Sequence, residues 1–198
     1  MQVILHTLER AGKKQTAISK QAVILLEKAL NDPRFETEFL KKRFSDLYFD
    51  DGSDRWKQIT KEEALSKLLS GSELNGNGDG RIDLRVKLDL LKKGTLGVWN
   101  GGLKFRTNYI WINRWIANSR PENLAGHFAH EWSHVCGFRH KSRKIRPDVA
   151  YNFGKTVIQI LDNSFHNKSL DNHIYDFVEC GQHAGSVMTE KQITKHMY

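Results

Sequence analysis

The strongest indication of fold and chemistry in this chain is the segment His130-Glu131-Trp132-Ser133-His134-Val135-Cys136-Gly137-Phe138-Arg139-His140. Two residues four apart on a helix lie about 40° apart around its axis, so His130 and His134 can direct imidazole nitrogens at one ion. Glu131 lies beside them and can reach a water molecule on that ion. Gly137 favours the left-handed conformation that ends a helix, and the turn can bring His140 back as a third ligand. Three histidine ligands with an open fourth position are typical of a catalytic zinc site.

This spacing, HExxHxxGxxH, resembles the zinc-binding motif of the metzincin metalloproteases. The resemblance implies an α+β fold with a twisted mixed sheet, long helices and an irregular C-terminal part. It also implies that His130, His134 and His140 bind Zn²⁺ and that Glu131 is the general base of peptide-bond hydrolysis. The motif covers residues 130–140, and the order of helices and strands extends the likeness loosely over most of the chain. The subfamily is not assigned.

Two further parts of the site follow from the resemblance alone. Metzincins have a methionine turn beneath the metal, and Ser186-Val187-Met188-Thr189 is the best match. We prefer Met188 to Met197 because a residue beside the chain end is poorly placed to form the floor of a buried site. The strand before the last one forms the upper rim of the cleft in this family. That strand contains Gly97, Val98 and Trp99, whose backbone is expected to pair with an extended substrate.

Two residues near the motif have alternative interpretations. Tyr151 could donate a hydrogen bond to a developing oxyanion, although packing in the wall of a cleft is the more common role of such a tyrosine. His127 lies about one turn before His130 on the same helix. We interpret His127 either as a residue that contacts the metal ligands without binding the metal itself or as a surface histidine.

Asn75-Gly76-Asn77-Gly78-Asp79-Gly80-Arg81-Ile82-Asp83 is similar to the start of a calcium loop. Oxygen ligands recur at alternate positions, which makes Asn75, Asn77, Asp79 and Asp83 candidate Ca²⁺ ligands. The twelfth position is Val86, where a bidentate carboxylate is expected. The alternative is a glycine-rich turn that leads into the next strand.

Hydrophobic periodicity predicts the remaining elements. Helices are expected within residues 14–45, from a capping box at Thr60 to Gly71, and over 148–161. The helix that carries the motif is expected to be capped by Ser119, with Pro121 in its first turn. Strands are predicted at residues 47–49, 81–90, 95–99 and 105–116. The segment 81–90 alternates strictly between apolar and charged residues, so one of its faces meets the core.

The chain has 198 residues and a formal net charge of +8. Residues 1–198 are most simply a single domain, long enough to bury a core. No run of residues has the length of a membrane span, and the start of the chain does not resemble a signal peptide. The protein is therefore either cytoplasmic, exported by another route, or lacking its presequence. Cys136 is expected to be a buried free thiol, with a bridge to Cys180 as the alternative. Nothing in the sequence sets the oligomeric state.

The favoured hypothesis is a zinc-dependent endopeptidase that acts on a protein or peptide. A second hypothesis is a zinc amidase that cleaves a non-protein amide, such as a peptidoglycan cross-link, since a basic surface suits an anionic envelope. A third is a basic nucleic-acid-binding module without enzymatic activity. Nucleic acid is the least favoured partner, because it leaves Glu131 and Gly137 without a role.

Overall fold

The computed structural model describes residues 1–45, 47–50, 56–73, 78–92, 94–140 and 147–162. Four of the strands form a mixed sheet, in the order Gln2–Glu9, Arg81–Asp89, Lys104–Asn108 and Gly97–Trp99, and Tyr48–Asp50 and Trp56–Gln58 form a separate antiparallel pair. The prediction of helices together with a mixed sheet is therefore confirmed. The described helices and strands are, in chain order, β1 (Gln2–Glu9), α1 (Lys13–Leu30), α2 (Phe35–Leu40), β2 (Tyr48–Asp50), β3 (Trp56–Gln58), α3 (Lys61–Leu69), β4 (Arg81–Asp89), β5 (Gly97–Trp99), β6 (Lys104–Asn108), α4 (Tyr109–Ala117), α5 (Pro121–Val135) and α6 (Val149–Leu161).

β4 is the central strand on which the sheet is built. It pairs in parallel with β1 on one side and with β6 on the other. Ile82, Leu84 and Val86 are fully buried, whereas the charged residues between them are at least partly exposed. The predicted alternation is thus confirmed. The buried side chains belong to the same hydrophobic core as the apolar faces of α1, α5 and α6.

β1 was not identified from the sequence. Only Val3 is buried among its eight residues, so its alternation of apolar and polar residues is weak. A shift of register between Leu5 and Thr7 also interrupts its pairing with β4. Such a bulge moves the following side chains to the opposite face, which removes the two-residue period from the sequence. Residues 2–9 form a strand because their backbone completes the hydrogen bonds of β4, which lies far away in the sequence.

The predicted strand at 105–116 is wrong in its second half. β6 ends at Asn108, and α4 begins at Tyr109. Aromatic and β-branched residues favour a strand locally, but tertiary packing overrides this preference. The side-chain oxygen of Asn108 accepts the backbone N–H of Ile110 and so caps the helix. Residues 112 and 115 are then buried at helical spacing.

The other predicted helix boundaries agree with the structure in part. The capping box of α3 is confirmed, with the Thr60 and Glu63 side chains each bonded to the backbone of the other. Gly71 follows α3 with a φ of 73°, as expected for a residue that ends a helix. Ser119, in contrast, does not cap α5. It has a φ of 50°, and the N-cap position belongs to Arg120, whose side chain makes no capping bond.

α5 and α6 approach each other closely through two glycines. A Cβ atom added to Gly126 would lie 2.5 Å from the side chain of Ile158 and 2.9 Å from the carbonyl oxygen of Gly154. A Cβ atom added to Gly154 would lie 2.6 Å from the carbonyl oxygen of Gly126. The two backbones are therefore in direct contact, and no larger residue fits at either position without separating the helices. This contact sets the position of the N-terminus of α6 relative to α5.

We expect Asn108→Ala to lower the free energy of unfolding by about 2–4 kcal/mol. The substitution removes the cap of α4, which is worth about 1 kcal/mol. It also removes the Asn108 Nδ2 donor to the carbonyl oxygen of Thr95, a bond of 2.6 Å that joins β6 to the segment before β5. A buried carbonyl left unpaired adds about 1–3 kcal/mol. Urea unfolding measures the change.

Asn118→Ala is the matched control, since Asn118 lies at the other end of α4. Its side-chain amide donates to Arg114 in an exposed position. We expect a loss below about 0.5 kcal/mol, because water replaces an exposed partner. Equal losses in the two variants would contradict the role given to Asn108.

Candidate metal centre

α5 places three of the predicted site residues in the interior of the protein. Every residue of this helix from Leu124 to Val135 is buried, whereas a surface helix normally exposes a polar face. His130, Glu131 and His134 are between 1% and 3% exposed. Both α6 and β5 contact α5. The polar side of the helix is therefore covered by protein and not by solvent.

The chain reverses direction directly after α5. Gly137 has a φ of 97°, in the left-handed region that glycine adopts without strain. Its N–H donates to the carbonyl oxygen of His134, and the N–H of Phe138 donates to that of Ser133, each at 3.0 Å. Together these bonds form a Schellman motif. The turn returns His140 to the helix, with its ring centroid 4.7 Å from that of His134.

The three predicted metal ligands come together in the structure. Nε2 of His130 and Nε2 of His134 lie 3.2 Å apart. With His140 they form a group whose ligand atoms all lie within 4.8 Å of one another. Two nitrogens bound tetrahedrally to one ion at about 2.05 Å would lie roughly 3.3 Å apart. The cluster can therefore hold a metal ion, and imidazole donors suit zinc, copper, iron and nickel.

Two of the imidazoles are oriented by hydrogen bonds at their other nitrogen. Nδ1 of His134 lies 2.6 Å from the carbonyl oxygen of Phe138, which the Schellman turn places there. Nδ1 of His140 lies 2.5 Å from Oδ2 of Asp148. Because each oxygen accepts a hydrogen bond from Nδ1–H, Nε2 is left with its lone pair. Nε2 of His140 is buried and has no hydrogen-bond partner, as expected of an atom directed at a metal position.

Burial keeps His130 and His134 neutral. It lowers the pKa of His134 to about 3 and lowers that of His130 well below the usual 6.5. The neighbouring imidazoles add to this effect, whereas a hydrogen bond with the backbone of Ala150 opposes it at His130. A metal ion binds only the neutral imidazole. These two side chains can therefore bind a metal without first releasing a proton.

Glu131 is buried next to the ligands and against β5. Its Oε2 has no hydrogen-bond partner, and burial raises the pKa of the carboxyl to about 8. Its Oε1 is so close to β5 that a Cβ atom added to Gly97 would lie 2.2 Å from it. Glycine at position 97 therefore leaves the space that the carboxylate occupies. A carboxylate with a raised pKa is a stronger base than an exposed one.

Two aromatic side chains line the histidine cluster. The ring centroid of Tyr151 lies 4.8 Å from those of both His130 and His140, so this side chain packs against the cluster. Its role as an oxyanion donor stays a prediction. The indole of Trp99 stacks on His134 at 6.4 Å, with 23° between the planes. The guanidinium of Arg139 lies over the Trp99 indole, 5.3 Å from its ring centroid.

β5 lies at the edge of the sheet, where a substrate strand was expected to pair. Within the described residues it pairs with β6 alone, in the antiparallel direction. Gly97, Val98 and Trp99 are nevertheless all buried. In the structure, these residues contribute to the site by contacting side chains of α5. Pairing with a substrate stays a prediction.

The candidate calcium ligands are not assembled into a loop within the described residues. Asp79 bonds to Arg81, with an Nε–Oδ2 distance of 2.9 Å. Asp83 lies in β4, with its Oδ1 3.0 Å from Nε2 of His6. Asn75 and Asn77 lie outside the described residues, so calcium binding stays a prediction.

The predicted methionine turn also lies outside the described residues, because Met188 belongs to 163–198. The same holds for Cys180 and for the expected irregular C-terminal part. Cys136 is a buried free thiol, and burial raises its pKa.

Sequence reasoning missed one residue of the site and left another undecided. Asp148 was recognised only as the start of a predicted helix. It does cap α6, because its Oδ1 accepts the N–H of Tyr151 at 3.0 Å, but its Oδ2 also orients His140. His127 is 3% exposed, so the interpretation as a surface residue is wrong. The spacing of four residues between His127 and Glu131 was the available signal.

No family model, no curated protein and no solved structure matches this chain. Among the described residues, no helix is both long and apolar enough to cross a membrane. Statements about function therefore depend on the geometry of the site and on the resemblance in the motif.

We expect Asp148→Asn to weaken zinc binding by roughly 10–100-fold. Asparagine keeps an oxygen that can cap α6 but removes the carboxylate that orients His140. Competition with a chromogenic chelator measures the dissociation constant. Asp32→Asn is the control, because it removes the same charge from an exposed pair with Arg34. Equal affinities of the Asp148 variant and the wild type would contradict the orienting role.

We expect the metal-free protein to lose stability as the pH falls from about 6.5 towards 5. The pKa values of His127 and His134 are about 3 in the folded protein, and that of His130 is also lowered. Between these values and 6.5 the unfolded chain binds protons that the folded protein does not. Each histidine then contributes a loss of up to about 1.4 kcal/mol per pH unit.

Glu131 acts in the opposite direction over part of this range, because its pKa is raised to about 8. The folded protein keeps this proton between about pH 4.5 and 8, whereas the unfolded chain releases it. The three histidines outnumber this one carboxyl, so the free energy of unfolding still increases as the pH rises from 5 to about 6.5. Urea unfolding at several pH values measures it. A free energy of unfolding that is constant or rises from pH 7 to pH 5 would show that the histidines are not buried as neutral groups.

Proposed function

We propose that this protein is a zinc-dependent peptidase that hydrolyses peptide bonds. The observation that carries the proposal is a buried group of three imidazoles, His130, His134 and His140, with the carboxylate of Glu131 beside it. Three histidines with an open fourth position are the ligand set of a catalytic zinc ion. A purely structural zinc site would have four protein ligands and would not need the adjacent glutamate.

A zinc ion in this position would supply a water molecule of lowered pKa and would polarise the carbonyl group of the substrate. Glu131 accepts a proton from the attacking water and then donates it to the nitrogen of the departing amine. Burial makes this carboxylate a stronger base, which suits the first of these steps. Tyr151 packs against two of the histidines and is the candidate donor to the developing oxyanion.

The surroundings of the site assist this chemistry. Trp99 and Tyr151 are buried beside the histidines, and a charge that develops in a buried site interacts more strongly with nearby dipoles. The bonds of His134 to Phe138 and of His140 to Asp148 hold the imidazoles in one orientation. The ligands therefore do not need to reorganise during the reaction.

We expect Glu131→Gln to retain zinc and to lose hydrolysis by a factor of at least about 10². Glutamine has nearly the same shape but cannot accept the proton. Plasma mass spectrometry measures the zinc content, and release of peptides from casein measures the activity. Incubation with purified cell wall in parallel distinguishes a peptidase from an amidase that acts on a non-protein amide.

Two variants complete this experiment. Glu122→Gln changes a glutamate in the first turn of α5, paired with Arg120, and should leave both zinc content and hydrolysis unchanged. His134→Ala should lose the metal and the activity together. Full activity of the Glu131 variant would overturn the mechanism, and absence of zinc from the wild type after dialysis against it would overturn the proposed function.

A further inference from the structure

His127 is a buried polar residue that the proposed mechanism does not use. It lies one helical turn before Glu131 on α5, with its Nδ1 3.7 Å from Oε1 of that carboxylate. On its other side, Nε2 lies 3.0 Å from the hydroxyl oxygen of Thr107 in β6. A Cβ atom added to Gly97 would meet both Cε1 of His127 and Oε1 of Glu131. The imidazole of His127 therefore contacts β5 and β6 on one side and approaches the Glu131 carboxylate on the other.

The surroundings of this imidazole favour one tautomer. Nδ1 faces Oε1 of Glu131. In the ionised form that acts as the general base this oxygen can only accept, so the proton belongs on Nδ1. Nε2 then accepts the hydroxyl proton of Thr107, which is fully buried and whose hydroxyl can rotate to donate. Burial also lowers the pKa of His127 to about 3, which keeps the ring neutral.

Two buried polar atoms in this group have no hydrogen-bond partner, Nδ1 of His127 and Oε2 of Glu131. An unpaired buried donor is costly. Because Oε1 of Glu131 lies 3.7 Å from Nδ1 of His127, we expect this donor to bind the carboxylate when the site functions. From 3.7 Å, Oε1 needs to approach Nδ1 by only about 0.5 Å to reach hydrogen-bond distance. Oε2 then remains unpaired on the other side of the carboxylate.

We propose that His127, oriented by Thr107, is a positioning residue for Glu131. Its Nδ1–H binds Oε1 and holds the carboxylate in one orientation, so that Oε2 is the atom that takes the proton of the attacking water. The O–H bond of the water breaks as the O–H bond at Oε2 forms, and the imidazole remains neutral throughout. This inference rests on the proposed function, because it assigns the orientation of the general base.

Packing alone is the competing explanation for His127. Its ring contacts Phe105, Trp115 and Phe128, with centroid distances between 5.7 and 6.4 Å. An apolar side chain of similar size would fill this space equally well. The two explanations differ in one respect, which is whether a donor at the δ position is required.

The first experiment compares His127→Leu, His127→Asn and Thr107→Val in the zinc-loaded protein with casein-derived peptides. Asparagine places an N–H close to the position of Nδ1, whereas leucine has no donor. We expect zinc content near that of the wild type in all three variants. The leucine variant should lose about 10–100-fold in kcat with little change in KM. Asparagine should recover most of this loss, and Thr107→Val should lose about 3–10-fold.

The second experiment does not depend on activity or on a metal. A double-mutant cycle in the metal-free protein combines His127→Leu with Glu131→Ala and measures the unfolding constant of each variant. We expect the effects to depart from multiplicative by a factor of about 5 or more, in the direction of an attractive pair. The same cycle with His127→Asn should retain most of this coupling.

These outcomes separate the inference from the proposed function. Coupling in the cycle without any hydrolysis would keep the His127–Glu131 pair and overturn the peptidase. Hydrolysis with no coupling, or an asparagine variant no better than leucine, would overturn the positioning role and leave packing as the explanation. If His127→Leu does not fold, His127→Gln replaces it, because its amide lies at the ε position and faces Thr107 instead of Glu131.

Discussion

The backbone contact between α5 and α6 is the constraint on which the rest of the site depends. Gly126 and Gly154 each face the backbone of the other helix, so the helices approach more closely than side chains would normally allow. The N-terminal turn of α6 is thereby brought to the histidines of α5. Asp148 can then bond to His140, and Tyr151 can pack against two of the imidazoles. A methyl group on either glycine would separate these partners.

The site also combines strong burial with local hydrogen bonding. A buried polar group is tolerated only when it is paired, and each ligand histidine has a bond that is independent of a metal. Within the described part of the chain, three polar atoms of the site have no hydrogen-bond partner: Nε2 of His140, Nδ1 of His127 and Oε2 of Glu131. Unpaired buried atoms concentrate where a protein binds a ligand or transfers a proton.

Much of the fold could be predicted where the determining interactions are short in range. The alternation along β4 and the capping box at Thr60 involve residues at most nine apart, and both were confirmed. The same reasoning missed β1, whose alternation a bulge interrupts, and it extended β6 into α4. In both cases a partner distant in the chain decides the conformation. β1 completes the sheet beside β4, and the buried amide of Asn108 bonds to Thr95.

The sequence by itself determined which side chains can bind a metal. The spacing of His130, His134 and His140 around Gly137 depends only on helix geometry and on one left-handed residue. Only the tertiary structure decided what surrounds them. Asp148 reaches the site from the N-terminus of α6 and Gly97 from β5, and the burial that keeps His130 neutral comes from the packing of these elements against α5. The physical reason is that a helix sets distances between its own residues, whereas burial and orientation arise from packing between elements far apart in the chain.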